Sequence, residues 1–183
     1  MVLSYQTHTI NVRTVTEADA GKGIGKERDY QDMDGLITNI PGITLVTFYA
    51  DCVPLYFVDP VHKAIGLSHS GWRGTVHRMG KATLEAMNRE YGTDPVDVVA
   101  CIGPSICQDC FEVGPEVAEE FAGNFAKKYH AELFYRKENG KYQVDLWRAN
   151  QIILNEAGIP KDQIHTTDIC TRCNPEHLFS HRI

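Results

Sequence analysis

A histidine, a tryptophan and an arginine lie close together in the segment GLSHSGWRGT, between a predicted strand and a predicted helix. The neighbours of His69 are small, so a ligand or a metal ion has room at the imidazole. Arg73 lies in a glycine-flanked loop before the helix, where N–H groups and a guanidinium can bind an anion. Two structural alternatives stay open: His69 as a lone core histidine, and Arg73 stacked on Trp72 at the surface.

A second candidate segment, YADCVP, places Asp51 and Cys52 at the end of a predicted strand. Functional residues concentrate at strand ends in α/β sheets. Cys52 is therefore a candidate catalytic thiol, and Asp51 a candidate for orienting a ligand or a substrate hydroxyl. The alternative for Cys52 is a buried thiol, the usual state of cysteine.

Four of the six cysteines form two C-x-x-C pairs, Cys107/Cys110 and Cys170/Cys173. One thiolate combined with imidazoles would leave an open coordination position on zinc, as catalytic zinc sites require. The four cysteines together would instead form a structural zinc site. The long separation between the pairs counts against that reading, because compact zinc ribbons use roughly 15–20 residues.

Length, charge and hydropathy narrow the class of protein. The 183 residues fit one domain, and the net charge of −6 argues against nucleic acid as the main partner. No apolar run approaches the roughly 20 residues of a membrane span. The N-terminus has no signal-peptide pattern, so we expect a cytoplasmic protein with reduced cysteines.

The elements that must position these residues alternate between strands and helices, which predicts a mixed α/β domain. A glycine- and charge-rich segment, residues 15–35, is predicted to be a long loop. Thr75 is a candidate N-cap for the helix that follows His69. Strands are predicted over residues 43–50, 54–60, 63–68, 96–103 and 164–170, and helices over residues 75–91, 115–128 and 144–158.

Three motifs taken together, ADCVPLYFVDP, LSHSGWRGT and IGPSICQDCFEVG, resemble the multicopper polyphenol oxidoreductase or "laccase domain" family. Members of that family are also described as purine nucleoside phosphorylases and as a peptidoglycan editing factor. QTHT resembles the family's Gln-x-His-Gly segment. VDLWRANQIILNEAGIP and CTRCNPEHLFSHR resemble its later helix and its C-terminal signature. The resemblance covers the chain from about Tyr5 to Arg182.

The resemblance implies a four-layer α/β/β/α sandwich with mixed β-sheets. It implies one such domain over residues 1–183, lacking the family's N-terminal portion and its last strand. It also implies a metal site of two histidines and one cysteine, with zinc as the usual metal and copper as the alternative. His69 matches the first ligand, and Cys110, just before Phe111, matches the cysteine, with Cys107 as the fallback. His130 is the match for the third ligand.

The resemblance further implies a metal-dependent purine nucleoside phosphorylase acting on adenosine, inosine, guanosine and methylthioadenosine, with adenosine deaminase activity. A purine nucleoside and phosphate are the expected partners, and a homo-oligomer is left open. Arg73 would clamp phosphate, Trp72 would stack on the purine, and His8 or a metal-bound water would protonate the departing base. The expected catalytic residues are His69, Cys110, Asp51, Cys52 and Arg73.

Three other functions remain as alternatives. A Cys–His amide hydrolase acting on peptidoglycan precursors would use Cys110 as nucleophile and His69 as base. A non-catalytic domain stabilised by zinc would use both C-x-x-C pairs. A copper-dependent polyphenol oxidase fits less well, because none of the eight histidines has the His-x-His spacing of multicopper centres.

Overall fold

The fold is built on β-strands and α-helices that alternate after the first third of the chain, as a computed structural model of residues 1–182 describes it. The strands are β1 (Val2–Leu3), β2 (Val12–Thr14), β3 (Gly35–Thr38), β4 (Leu45–Val46), β5 (Val53–Asp59), β6 (Ala64–Ser70), β7 (Val99–Ile102), β8 (Glu112–Val113), β9 (Phe134–Arg136), β10 (Tyr142–Val144) and β11 (Ile164–Thr166). The α-helices are α1 (Trp72–Val76), α2 (Met79–Tyr91), α3 (Pro115–Asn124), α4 (His130–Leu133) and α5 (Leu146–Glu156).

A six-stranded mixed sheet, in the order β11-β7-β5-β6-β3-β2, forms the centre of the fold. Its inner pairs are antiparallel, whereas the two outer pairs, β2–β3 and β7–β11, are parallel. Because β7 and β11 run in the same direction, the loops that follow them leave from the same edge of the sheet. A three-stranded sheet (β8-β10-β9) and a two-stranded one (β1-β4) complete the set.

The two faces of the large sheet are covered by different parts of the chain. On one face, helices α2 and α5 bury Leu55, Phe57 and Ile102 in the main core. On the other face, Leu36 and Leu67 pack with the N-terminal segments in a smaller core. Successive side chains of a strand point to opposite faces, so His69 shares the second face with Leu67, two residues earlier.

The predicted mixed α/β class with mixed sheets is confirmed, but some predicted boundaries are wrong. The helix predicted over 75–91 is two helices, because Arg78 adopts a left-handed φ of 66° between them. Thr75 is therefore not an N-cap; it lies inside α1, where its hydroxyl bonds to Ser70. The strand predicted over 43–50 is reduced to Leu45–Val46. Among residues 1–182, none of the helices has the length and apolar character needed to cross a membrane.

Candidate metal centre and the adjoining cavity

His69 lies between two serines at the end of β6, and the three side chains alternate between the two faces of the sheet. Ser68 and Ser70 point to the helical face, where they bond to Thr83 and Asn150 respectively. His69 points to the opposite face and is buried. Its backbone N–H donates to the carbonyl of Asp34 on the neighbouring chain segment. The imidazole of His69 therefore lies at the junction between the sheet and the N-terminal segments.

Asp34, a fully buried carboxylate, organises this junction. It accepts a hydrogen bond from His69 Nδ1 at 2.7 Å. It also accepts the backbone N–H groups of Thr7, His8 and Thr9. Burial alone would raise the pKa of Asp34, but the hydrogen bonds from His69 and from this loop lower it to about 2. The ionised carboxylate thus fixes both the orientation of His69 and the position of the loop that carries His8.

His8 and Cys52 complete a group of three potential metal ligands with His69. One ligand atom from each lies within 4.8 Å of the other two. His8, with a left-handed φ of 67°, brings its ring centroid to 5.0 Å from that of His69. Its Nε2 is 4.0 Å from Cys52 Sγ. Since Nδ1 of His69 is held by Asp34, Nε2 is the nitrogen left for a ligand, the arrangement found at protein metal sites.

Burial and close neighbours shift the pKa values of the two histidines in opposite directions. Burial lowers the pKa of His69, but the hydrogen bond to Asp34 and the adjacent Cys52 thiol raise it to about 9. Burial and the neighbouring His69 lower the pKa of His8. The two imidazoles are therefore unequal, and His8 is the one favoured in the neutral, metal-binding form.

The predicted ligand set His69, Cys110 and His130 is not brought together. Cys110 lies in a separate cluster with Cys107, Cys170 and Cys173. His130 opens the short helix α4, and its Nε2 donates to the carbonyl of Phe125. The reason for the difference is long-range folding: the N-terminal loop and the β4–β5 loop meet at the end of β6, whereas the segment after β7 turns toward the C-terminal loop.

Next to Cys52 is a cavity of about 140 Å³. Trp72 contributes to its wall, and Arg73 stacks on that indole with its Cζ 4.5 Å from the ring centroid. Arg73 is exposed, so its guanidinium is accessible to an anion from solvent while it stacks on Trp72. The full lining is Ala50, Asp51, Cys52, Trp72, Ile106, Phe111, Leu146, His181 and Arg182.

Asp51 has structural partners at the rim of this cavity. One carboxylate oxygen accepts from the hydroxyl of Thr171, at 2.6 Å, and the other from the backbone N–H of His181, at 3.1 Å. Both side-chain hydrogen bonds of Asp51 are thus with the C-terminal segment. Asp34, Thr171 and His181 were all missed by sequence reasoning. The only signal for Asp34 was an acidic residue just before β3, inside a segment predicted to be a loop.

Gly71, which precedes α1, lies directly against the three-residue group. A Cβ at this position would meet Cys52 Sγ at 2.8 Å and the His8 ring at 3.1 Å. We expect Gly71→Ala to displace these side chains and to lower the affinity of the group for a metal ion by about 10–100-fold, the cost of disturbing the surroundings of metal ligands. Titration of the metal-free protein with zinc would measure the effect.

Gly74→Ala is the matched control, because its Cβ would make only ordinary contacts, the nearest at 3.4 Å from the His69 carbonyl. It lies inside α1, where alanine suits the helix. Equal losses in both variants would show that the segment as a whole tolerates no side chain, rather than that Gly71 makes room for the ligand group.

The sequence as a whole matches one family model, described as multi-copper polyphenol oxidoreductase laccase, over residues 1–183. The chain belongs to this family. It is 39% identical over 183 residues to a protein from Bacteroides thetaiotaomicron named purine nucleoside phosphorylase, covering 100% of this chain and 67% of that relative. It is 40% identical over 188 residues to adenosine deaminase RL5 from an unknown prokaryotic organism, covering 100% of this chain and 69% of that protein.

A solved structure agrees in fold with the chain. The crystal structure of the Bacillus licheniformis hypothetical protein YfiH superposes with a TM-score of 0.91 at 33% identity, covering 99% of this chain and 68% of that one. The chain thus spans about two thirds of the length of the relatives it matches. The family membership predicted from the three motifs is confirmed.

Proposed function

We propose that the chain acts as a metal-dependent purine nucleoside phosphorylase, with zinc held by His8, Cys52 and His69. The observation that carries the proposal is the convergence of these three ligand atoms beside a cavity walled by Trp72. The names of the relatives, a phosphorylase and an adenosine deaminase, support the choice of a purine nucleoside as substrate.

The three residues fit a catalytic zinc ion better than a structural one. Two imidazoles and one thiolate leave the fourth tetrahedral position open. Asp34 supplies the outer-shell carboxylate that orients His69. When bound, zinc would supply Lewis-acid chemistry, polarising a water or the group that leaves. Copper suits the same ligands and is the alternative metal.

In the proposed phosphorolysis, a phosphate oxygen forms a bond to C1′ of the ribose as the C1′–N9 bond breaks. The purine leaves with the bonding electron pair and takes up a proton. The guanidinium of Arg73 would hold the phosphate, and Trp72 would stack on the purine. In the accompanying deamination, water adds to C6 of adenosine and ammonia leaves. Inosine, guanosine and methylthioadenosine are the further expected substrates of phosphorolysis.

The test is to incubate the purified protein with adenosine, with and without phosphate, and to identify the products by chromatography and mass detection. Adenine and ribose 1-phosphate are expected only with phosphate, and inosine in either case. Both reactions should stop after chelation and resume when zinc is added. No turnover by the folded, metal-loaded protein, together with unfolding on chelation, would favour the non-catalytic zinc-stabilised domain instead.

Replacement of the exposed arginine separates the two reactions. We expect Arg73→Gln to raise KM for phosphate by about 10- to 100-fold, equivalent to about 1.5–3 kcal/mol for hydrogen bonds to a charged group. Deamination, which uses no phosphate, should be unchanged. Arg78→Gln is the control, because Arg78 also stacks on an aromatic ring, Phe125, but its guanidinium is bonded to Glu156. Equal effects on both reactions would argue against a phosphate clamp.

A second candidate is the Cys–His hydrolase acting on an amide, because Cys52, His69 and Asp34 have the order of nucleophile, base and orienting carboxylate. The nucleophile would be Cys52, since Cys110 lies in the other cluster. Chelation distinguishes the two candidates: it should activate a thiol hydrolase and abolish the phosphorylase. Hydrolysis of a peptidoglycan precursor after chelation is the positive result for this alternative.

A further inference from the structure

The two C-x-x-C pairs, far apart in the sequence, come together at one edge of the large sheet. Cys107 and Cys110 lie in the turn that follows β7, and Cys170 and Cys173 lie in the turn that follows β11. These strands are parallel neighbours, so both turns leave from the same edge. A bridge between Ser105 and Cys170 keeps the turns aligned. The long separation that counted against a zinc site is thus removed by the topology.

The four sulfur atoms are spaced as one tetrahedral ion requires. All four Sγ atoms lie within 4.8 Å of one another, and Cys110 Sγ is 3.5 Å from Cys173 Sγ. Zn–S bonds of about 2.3 Å give a tetrahedral sulfur–sulfur edge of about 3.8 Å. All four cysteines are free thiols. Four sulfurs leave no open position, which is the pattern of a structural zinc site.

Hydrogen-bond donors already point at the sulfurs. The backbone N–H of Cys107 is 3.4 Å from Cys170 Sγ, and Arg172 Nη1 is 3.5 Å from Cys110 Sγ. Both donors would form hydrogen bonds to zinc-bound sulfur, and the guanidinium would offset part of the negative charge of four thiolates on one divalent ion.

The segment that this cluster would hold in place, residues 170–182, closes the cavity beside Cys52. It contains turns and no strand or α-helix. Besides the cysteines, Thr171 and His181 bond to Asp51, and Arg182 donates to the carbonyl of Glu112. Asp51 directly precedes Cys52, so a cross-link at residues 170 and 173 would fix one wall of the cavity.

We propose that Cys107, Cys110, Cys170 and Cys173 bind a structural zinc ion, separate from the His8–Cys52–His69 centre, that fastens residues 170–182 over the cavity. The proposal does not depend on the phosphorylase activity. It also differs from the zinc-stabilised domain considered above, because it places a structural ion beside a candidate catalytic one.

The test is metal content per chain, measured by mass spectrometry of elements on protein kept reduced, in single-cysteine variants. Wild type should carry one zinc in each group, and Cys52→Ala should keep the four-cysteine ion alone. Cys173→Ala should lose that ion, and this exposed position suits a substitution. Cys101→Ala is the matched control, a half-buried thiol on β7 outside both groups, and should lose nothing.

A structural readout completes the test. Trypsin should cleave after Arg172 faster in Cys173→Ala, or after chelation of Cys52→Ala, than in untreated Cys52→Ala. Cys173→His should restore zinc and protease resistance, because three cysteines and one histidine also form structural sites. Three results would overturn the proposal: no zinc in Cys52→Ala, iron in place of zinc, or a disulfide between these cysteines in the protein as purified.

Discussion

Replacing Cys52 or His69 by alanine is expected to remove the zinc ion proposed for this centre and to lower kcat/KM for the proposed adenosine phosphorolysis by more than about 100-fold. The reason is that even changes to outer-shell partners of a metal ligand cost about 10–100-fold, so loss of a ligand should cost more. Both side chains lie at the junction where their ligand atoms converge with His8. Zinc content and initial rates, measured on the same preparations, check the prediction.

Two control variants make this prediction specific. His130→Ala removes the histidine that the sequence motifs favoured as a ligand, but its imidazole is engaged with the Phe125 carbonyl, so activity should persist. Cys101→Ala removes a thiol outside both clusters and should also remain active. If His130→Ala lost one zinc and its activity while Cys52→Ala kept as much zinc as the wild type and remained active, the proposed ligand set would be wrong.

Asp34→Asn is expected to lower zinc affinity by about 10–100-fold, because the carboxylate orients His69 as an outer-shell partner. Asparagine has one acceptor oxygen where Asp34 uses two. It would leave some of the N–H groups of Thr7, His8 and Thr9 without an acceptor, at about 1–3 kcal/mol each when buried. Competition with a chromogenic chelator measures the affinity, and denaturant unfolding the stability.

The substitution Asp34→Asn should also change how the stability of the protein depends on pH. Because folding lowers the pKa of Asp34 from 3.8 to about 2, its ionised form stabilises the protein fully above the ordinary pKa and less as the pH falls toward 2. The free energy of unfolding of Asp34→Asn should therefore fall less than that of the wild type as the pH falls from the ordinary pKa toward 2.

Asp59→Asn is the control, since it alters another buried aspartate bonded to a histidine, His62, away from the centre. It should reduce stability without changing zinc affinity. Equal affinity losses in both variants would assign the effect to general destabilisation.

Local patterns predicted the parts of the fold in which apolar runs determine the structure. The strands around Leu55 and Ala100 and the helix ending near Glu156 follow their hydrophobic patterns. The break at Arg78 was not predictable in this way, because its left-handed conformation interrupts an otherwise continuous helical stripe. Strand β3 was hidden at the boundary of a glycine- and charge-rich segment and is held in place by its pairing with β6.

Part of the candidate site was likewise predictable from local sequence. His69 was identified among small residues after an apolar run, and Cys52 was identified in a short segment between two apolar runs. Their pairing with His8, and the role of Asp34, depend on an N-terminal loop folding back across many residues, which no local spacing encodes. The four-cysteine cluster also depends on long-range folding. The large sequence separation of the two C-x-x-C pairs argued against a common site, but the pairing of β7 with β11 brings them together.

The most direct test of the account is product analysis of adenosine incubated with phosphate, run in parallel on zinc-loaded wild-type protein and on zinc-loaded Cys52→Ala. We predict from the wild type an amount of ribose 1-phosphate equal to the sum of adenine and hypoxanthine, the latter arising from inosine, and no free base above background from Cys52→Ala. Equal turnover by both proteins, or no free base from a folded wild-type protein with zinc at His8, Cys52 and His69, would contradict the account.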